Sequence, residues 1–172
     1  MVIAYTGQGK GKTTAALGAA LRACGHGWKV KMIQFIKGDW VSAEVEAARR
    51  LTPLFEIVPA GAGFVEVAQG YLPKEAHRQA ARQAIDLALQ AMVQEGLNLL
   101  ILDEIFNCLV LGLITDAQVQ ELLDRRPQSL HLILTGRGAP DWLIERCDLV
   151  TEMREIKHPF AKGAPAVPGI DY

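Results

Sequence analysis

The stretch Thr6-Gly7-Gln8-Gly9-Lys10-Gly11-Lys12-Thr13-Thr14 gathers three glycines, two lysines and three hydroxyls into nine residues. That mixture suits a polyphosphate. Such a ligand needs many N–H donors converging on it, and only a glycine-rich turn lets the backbone come close enough. A helix beginning inside the turn adds unsatisfied N–H groups and a favourable dipole. Lys12 would add a point charge to the phosphates and the Thr13 hydroxyl would meet Mg²⁺, so residues 7–14 (Gly7, Gln8, Gly9, Lys10, Gly11, Lys12, Thr13, Thr14) are expected to bind a nucleotide's phosphates. The match to G-x-x-x-x-G-K-[ST] is imperfect, because Thr6 stands at the first position and Gly7 comes one residue late. A glycine-rich turn with incidental lysines is the plain alternative. The strand before the turn and the helix after it favour the phosphate reading.

Leu99-Leu100-Ile101-Leu102-Asp103-Glu104 ends an apolar strand in two adjacent carboxylates. Alone, such a pair is turn chemistry or a helix start. Beside a phosphate loop it is a candidate Mg²⁺ site. The sequence leaves open which carboxylate touches the ion; Glu104 is favoured, with Asp103 supporting the Thr13 hydroxyl or a metal-bound water. After another strand, Leu134-Thr135-Gly136-Arg137-Gly138-Ala139-Pro140 leaves Arg137 between glycines, able to swing toward a leaving group or simply to sit at a surface turn. Gln34-Phe35-Ile36-Lys37-Gly38 follows a strand in the same way. Phe64, Trp40 and Tyr71 lie in or near long connections, where they would line an apolar pocket or pack in the core.

These segments need elements to position them. Strand patterns occur at Val2–Thr6, Lys29–Phe35, Phe55–Val58, Asn98–Leu102, Leu130–Thr135 and Leu149–Met153. Between them lie helical patterns at Thr13–Cys24, at Ser42–Leu51 with Ser42 as cap, and at Pro73–Glu95, whose inward stripe reads Ala76, Ala80, Ala84, Leu87 or Ala88, Ala91 and Met92. Lys74, His77, Arg78 and Arg82 read as that helix's solvated face. A Thr115-x-x-Gln118 capping box opens a helix to about Arg126, and a short helix starts near Pro140. The alternation predicts an α/β fold: one domain over residues 1–172, three layers, a mostly parallel central sheet of about six strands, and an irregular tail from residue 157. Ligands of such sheets bind where the strands' carboxyl ends meet, which is where every segment above falls.

The 172 residues are 50% hydrophobic and 22% charged, a foldable composition with room for little beyond one domain. Net charge is −1, which excludes a broad cationic surface for nucleic acid. Residues 1–50 nevertheless carry a local balance of +5 against −6 in the remainder, a distribution suited to a small anion. No apolar run approaches the roughly 20 residues of a membrane span, and no signal peptide is evident. Cys24, Cys108 and Cys147 are scattered, as expected of buried thiols in a reducing cytoplasm. The four histidines show no metal-ligand spacing.

In combination these motifs resemble the P-loop corrinoid adenosyltransferases, which act on cob(I)yrinic acid a,c-diamide or cob(I)alamin. The resemblance covers nearly the whole chain and rests on residues 6–14, 34–38, 101–104 and 135–140, with Asp148-Leu-Val-Thr-Glu-Met153, Lys157-His-Pro-Phe160 and Gly169-Ile-Asp-Tyr172. It implies a RecA-like sheet and transfer of the 5′-deoxyadenosyl group of ATP to cobalt(I) of a corrinoid, with triphosphate leaving and ATP reversed relative to ordinary P-loop hydrolases. It further implies Mg²⁺ as cofactor at Thr13, Glu104 and Asp103, catalytic roles for Lys12 and Arg137, and corrinoid contacts from Phe64, Gln34 and Lys37. A homodimer and a flavoprotein reductant are the implied partners. Two departures stand out. The first strand starts at Val2, where family members commonly carry a segment that helps cover the corrinoid. Glu66 stands where some members have the Trp of a Phe-x-Trp pair that displaces cobalt's lower ligand. The competing readings are an ordinary P-loop ATPase or kinase, in which Glu104 orients water or a hydroxyl, and a nucleotide-responsive binding module without turnover.

Overall fold

A computed structural model describes residues 1–38, 42–63 and 72–171. Six strands, β1 (Val2–Thr6), β2 (Lys29–Gln34), β3 (Phe55–Pro59), β4 (Leu97–Asp103), β5 (His131–Thr135) and β6 (Leu149–Glu152), form one sheet in the order β3-β2-β4-β5-β1-β6. Every pairing is parallel. The connections are α1 (Lys12–Gly25), α2 (Ala43–Arg49), α3 (Lys74–Met92), α4 (Ile105–Val110), α5 (Asp116–Arg125) and α6 (Asp141–Arg146). The three-layer α/β arrangement expected from the alternation of elements is the one that forms.

The side-chain period of two sorts β4 between two cores. Leu99 and Ile101 join Ala16, Ala20 and Ala23 of α1 and Ala48 of α2. Leu100 and Leu102 join Ala84, Ile85 and Ala88 of α3, Phe106 and Cys108 of α4, and Leu122 of α5. Covered on both faces, β4 has no polar alternation to keep, which is why its sequence reads as one apolar run. All four residues of the edge strand β6 are exposed.

Three local expectations change. The buried face of α3 is His77, Ala81, Ala84, Ile85, Ala88, Ala91 and Met92, so His77 leaves the solvated face and Ala76 and Ala80 leave the core. A stripe drawn in steps of four drifts off a helix of 3.6 residues per turn. Ser42 holds the N-cap position of α2, but its hydroxyl makes no capping hydrogen bond. Helix α4, directly after Asp103-Glu104, is an addition that an apolar run gave no periodicity to reveal. The Thr115–Gln118 capping box is present as read, and the tail contains a 3-10 turn at Pro159–Lys162.

The glycine loop is sewn to the exit of β6. Gly9 N–H donates to the Met153 carbonyl at 2.7 Å, and Met153 N–H to the Thr6 carbonyl at 2.8 Å. A Cβ on Gly7 would lie 2.5 Å from the Met153 oxygen, and one on Gly9 2.8 Å from the Arg154 carbonyl carbon. Both positions therefore need glycine for packing, whatever ligand they serve. Gly18, inside α1, faces open space. Gly9→Ala is expected to cost about 1–3 kcal/mol, whereas Gly18→Ala should stabilise by about 0.5–1 kcal/mol. Urea unfolding of the two variants checks both signs.

Candidate functional site

Strand β1 delivers the chain to the loop and α1 takes it away. Gly11, in a left-handed conformation at φ 114°, is the N-cap of α1; no side chain caps the helix and no acidic residue lies in its first turn. The positive end of a 14-residue helix is thus left for an anion. Lys12 Nζ donates to the carbonyls of Gly7 (2.8 Å) and Gly9 (2.6 Å), so the loop curls around its own lysine. Burial, then the nearby Arg137 cation, lowers the Lys12 ammonium below its ordinary value, while Glu104 and Asp103 act the other way. Lys10 turns outward to Asp171 (2.9 Å) and the Ile170 carbonyl (3.0 Å). Gln8 and Thr14 are exposed.

Behind the loop, Asp103 is completely buried. Its Oδ1 accepts from the Thr13 hydroxyl (2.9 Å) and the Thr135 hydroxyl (2.7 Å), and its Oδ2 has no hydrogen-bond partner. Burial raises its carboxyl above the ordinary range, against the pull of those hydroxyls. Glu104 has φ 63° and is, among the described residues, the one non-glycine in the left-handed region. The Glu104 amide, which donates to Thr135 Oγ1 at 2.9 Å, helps hold that strained conformation in place. Glu104 Oε2 is also buried without a partner. Burial, and then the neighbouring Asp103 charge, push the Glu104 carboxyl up to about 7, with Lys37, Lys12 and Arg137 opposing.

The structure therefore brings Lys12, Thr13, Asp103, Glu104 and Arg137 within mutual electrostatic reach. The Arg137 side chain is exposed, and its loop is fixed where the Arg137 amide donates to Asn107 Oδ1 at 2.7 Å. Gln34 lies under the site: it is fully buried, opposite Asp103 in the β2–β4 register, and its Nε2 donates to Glu44 Oε1 at 3.2 Å. Lys37 pairs with the same Glu44 oxygen. Phe64, together with Trp40, Tyr71 and Glu66, lies outside the described residues.

Sequence reasoning did not single out Thr135, Glu44, Asn107 or Asp171. Thr135 read as the end of a strand, and Asn107 sits on the unanticipated α4. Asp171, at the opposite end of the chain, reaches Lys10 only through tertiary folding. Two buried, unpartnered carboxylate oxygens beside a threonine hydroxyl suit a hard divalent cation, which needs oxygen ligands. Among the described residues no group of three or more His, Cys, Asp or Glu could hold a metal. Mg²⁺ typically takes one or two carboxylates and completes its shell with phosphate and water, and the donor chemistry of Thr13, Asp103 and Glu104 is of that kind.

Comparison with known proteins gives concordant matches. The family model described as ATP:corrinoid adenosyltransferase BtuR/CobO/CobP matches residues 1–172. The chain is 37% identical over 176 residues to the corrinoid adenosyltransferase of Escherichia coli K12, with 100% of this chain and 85% of the relative covered. It is 36% identical to the corrinoid adenosyltransferase CobA of Salmonella typhimurium, with 100% and 85% covered. To the corrinoid adenosyltransferase of Pseudomonas aeruginosa it is 34% identical, with 100% and 83% covered.

The raised Glu104 carboxyl has a definite sign in stability. A folded value of about 7 against an ordinary 4.5 means that the folded chain keeps a proton the unfolded chain has released. The stabilisation is fully present below pH 4.5 and is lost as pH rises through about 7. Relative to Glu104→Gln, the native chain should lose on the order of 2–3 kcal/mol between pH 4.5 and 8. Denaturant unfolding of both proteins across that range measures it, and a constant difference would contradict the burial of this charge.

Proposed function

The chain belongs to the ATP:corrinoid adenosyltransferase BtuR/CobO/CobP family and is an ATP:corrinoid adenosyltransferase of cobalamin biosynthesis or salvage; we propose that Gly7 to Thr14 grip the triphosphate of ATP so that C5′ of the ribose, and not phosphorus, faces the attacking cobalt. The observation that carries this reading is the uncapped, acid-free start of α1, with Lys12 beside the Asp103–Glu104 pair. Cobalt(I) is itself a strong nucleophile, so no side chain is needed as a base or covalent nucleophile. Its electron pair forms the Co–C5′ bond as the C5′–O5′ bond breaks, and the released pair leaves on the triphosphate.

The chain's own groups act by position and charge. Holding C5′ in line with cobalt is worth roughly 7–11 kcal/mol in well-oriented reactions. The loop amides, Lys12 and Arg137 stabilise charge growing on the departing oxygen. Thr13, Glu104 and Asp103 hold Mg²⁺, which, when bound, neutralises part of the triphosphate charge. The reading assigns corrinoid contacts to Lys37 and Phe64, and the fully buried Gln34 supports Lys37 through their shared partner Glu44. The reading extends to a homodimer, to the cytoplasm and to a flavoprotein that reduces the cobalt. Free thiols at Cys24, Cys108 and Cys147 support a reducing compartment. Among the described residues no helix is long and apolar enough to cross a membrane.

Anaerobic incubation with Mg·ATP and chemically reduced cobalamin should yield a cobalt–carbon bond and triphosphate in equal amounts. ADP and phosphate without that bond would instead indicate an ordinary P-loop hydrolase. Lys12→Ala should lower the rate by about tenfold or more, about 1.4 kcal/mol of transition-state stabilisation. Its melting temperature should fall only slightly, because Lys12 bonds the loop carbonyls of Gly7 and Gly9 and contributes little to the core. Near-normal turnover would remove Lys12 from the mechanism.

A further inference from the structure

Three cations stand around the Asp103–Glu104 pair, and one of them is restrained by a carboxylate with no place yet in the chemistry. Glu44, at the start of α2, is only 12% exposed, and its Oε1 accepts from both Lys37 Nζ and Gln34 Nε2. Gln34 is the last residue of β2 and lies opposite Asp103, the last of β4. The next residue extends the junction, since Phe35 N–H donates to the Asp103 carbonyl at 3.0 Å. Lys37 thus hangs from a short segment fixed to the strand end that carries the acidic pair. Among the cations acting on Glu104, Lys37 has the largest effect, ahead of Lys12 and Arg137, and it acts on Asp103 as well.

An ammonium anchored two residues beyond this junction, whose charge acts on both carboxylates, competes with a metal for them. We propose that Glu44 is a positioning residue that holds the Lys37 ammonium aside, leaving the Asp103 and Glu104 oxygens open to the divalent cation of the nucleotide site. This rests on the Mg²⁺ reading given above. Among the described residues, the other carboxylates that Lys37 acts on are Asp103 and Glu104; with Glu44 uncharged, pairing there offsets the charge that attracts the metal. Lys37 would then act as a tethered competitor, and the loss would appear in metal-dependent nucleotide binding before any chemistry occurs.

The readout is the ratio of ATP dissociation constants without and with Mg²⁺, measured by titration calorimetry on the full chain with no corrinoid present. In the native chain the ratio exceeds one. Glu44→Gln should lower it by about fivefold, a coupling of about 1 kcal/mol. Adding Lys37→Met to Glu44→Gln should restore the native ratio to within about twofold, a rescue that simple loss of structure would not give. Lys37→Met alone should leave the ratio at or above native, and it tests the inference even where Glu44→Gln does not fold. A native ratio of one overturns the Mg²⁺ reading and this inference with it. A normal ratio in Glu44→Gln, a double variant no better than Glu44→Gln, or a lowered ratio in Lys37→Met overturns this inference alone.

Discussion

The buried carboxylate of Asp103 is the constraint on which the site depends. One of its oxygens ties the first turn of α1, through Thr13, to the end of β5, through Thr135. The next residue is locked in a left-handed conformation by the same Thr135 hydroxyl. Burying a charge is costly unless hydrogen bonds and counter-charges compensate. Here two hydroxyls satisfy one oxygen, and the other, like Glu104 Oε2, is left without a hydrogen-bond partner. Such a half-satisfied pair is expensive for a resting fold, and buried unsatisfied carboxylates of this kind cluster at functional sites.

The sheet explains why this expense is borne at one edge. With β4 at the middle of the order and both faces covered, its carboxyl end is surrounded by the ends of β2, β5 and β1. Each neighbouring strand contributes the residues that follow it: Lys37 after β2, Arg137 after β5 and the glycine loop after β1. Three cations act on Glu104 there, each pulling its carboxyl down against its burial. Glu44 matters in this setting because it sets where one of those cations sits.

The glycine loop answers two demands at once. Its openness suits phosphate, but Gly7 and Gly9 are also pressed against the backbone of Met153 and Arg154. The tail after β6 then returns to the loop's outer rim, where Asp171 pairs with Lys10. First and last parts of the chain thus meet at the loop, where Ile170 and Asp171 hold Lys10.

Much of this was legible in the residues themselves. Period-two and period-3.6 patterns, glycine punctuation and the Thr115–Gln118 box mark nearly every element, because these are local preferences that each segment carries alone. The glycine-lysine loop and the Asp103–Glu104 pair are likewise contiguous, so their chemistry could be read directly. Other features follow from folding alone: the burial of Gln34 and His77, α4 within an unbroken apolar run, and the meetings of Glu44 with Lys37, Asn107 with the Arg137 loop and Asp171 with Lys10. Those contacts depend on strand order and on which face of the sheet each helix covers. Sequence periodicity states which face of an element is apolar, but not which other element will come to lie against it.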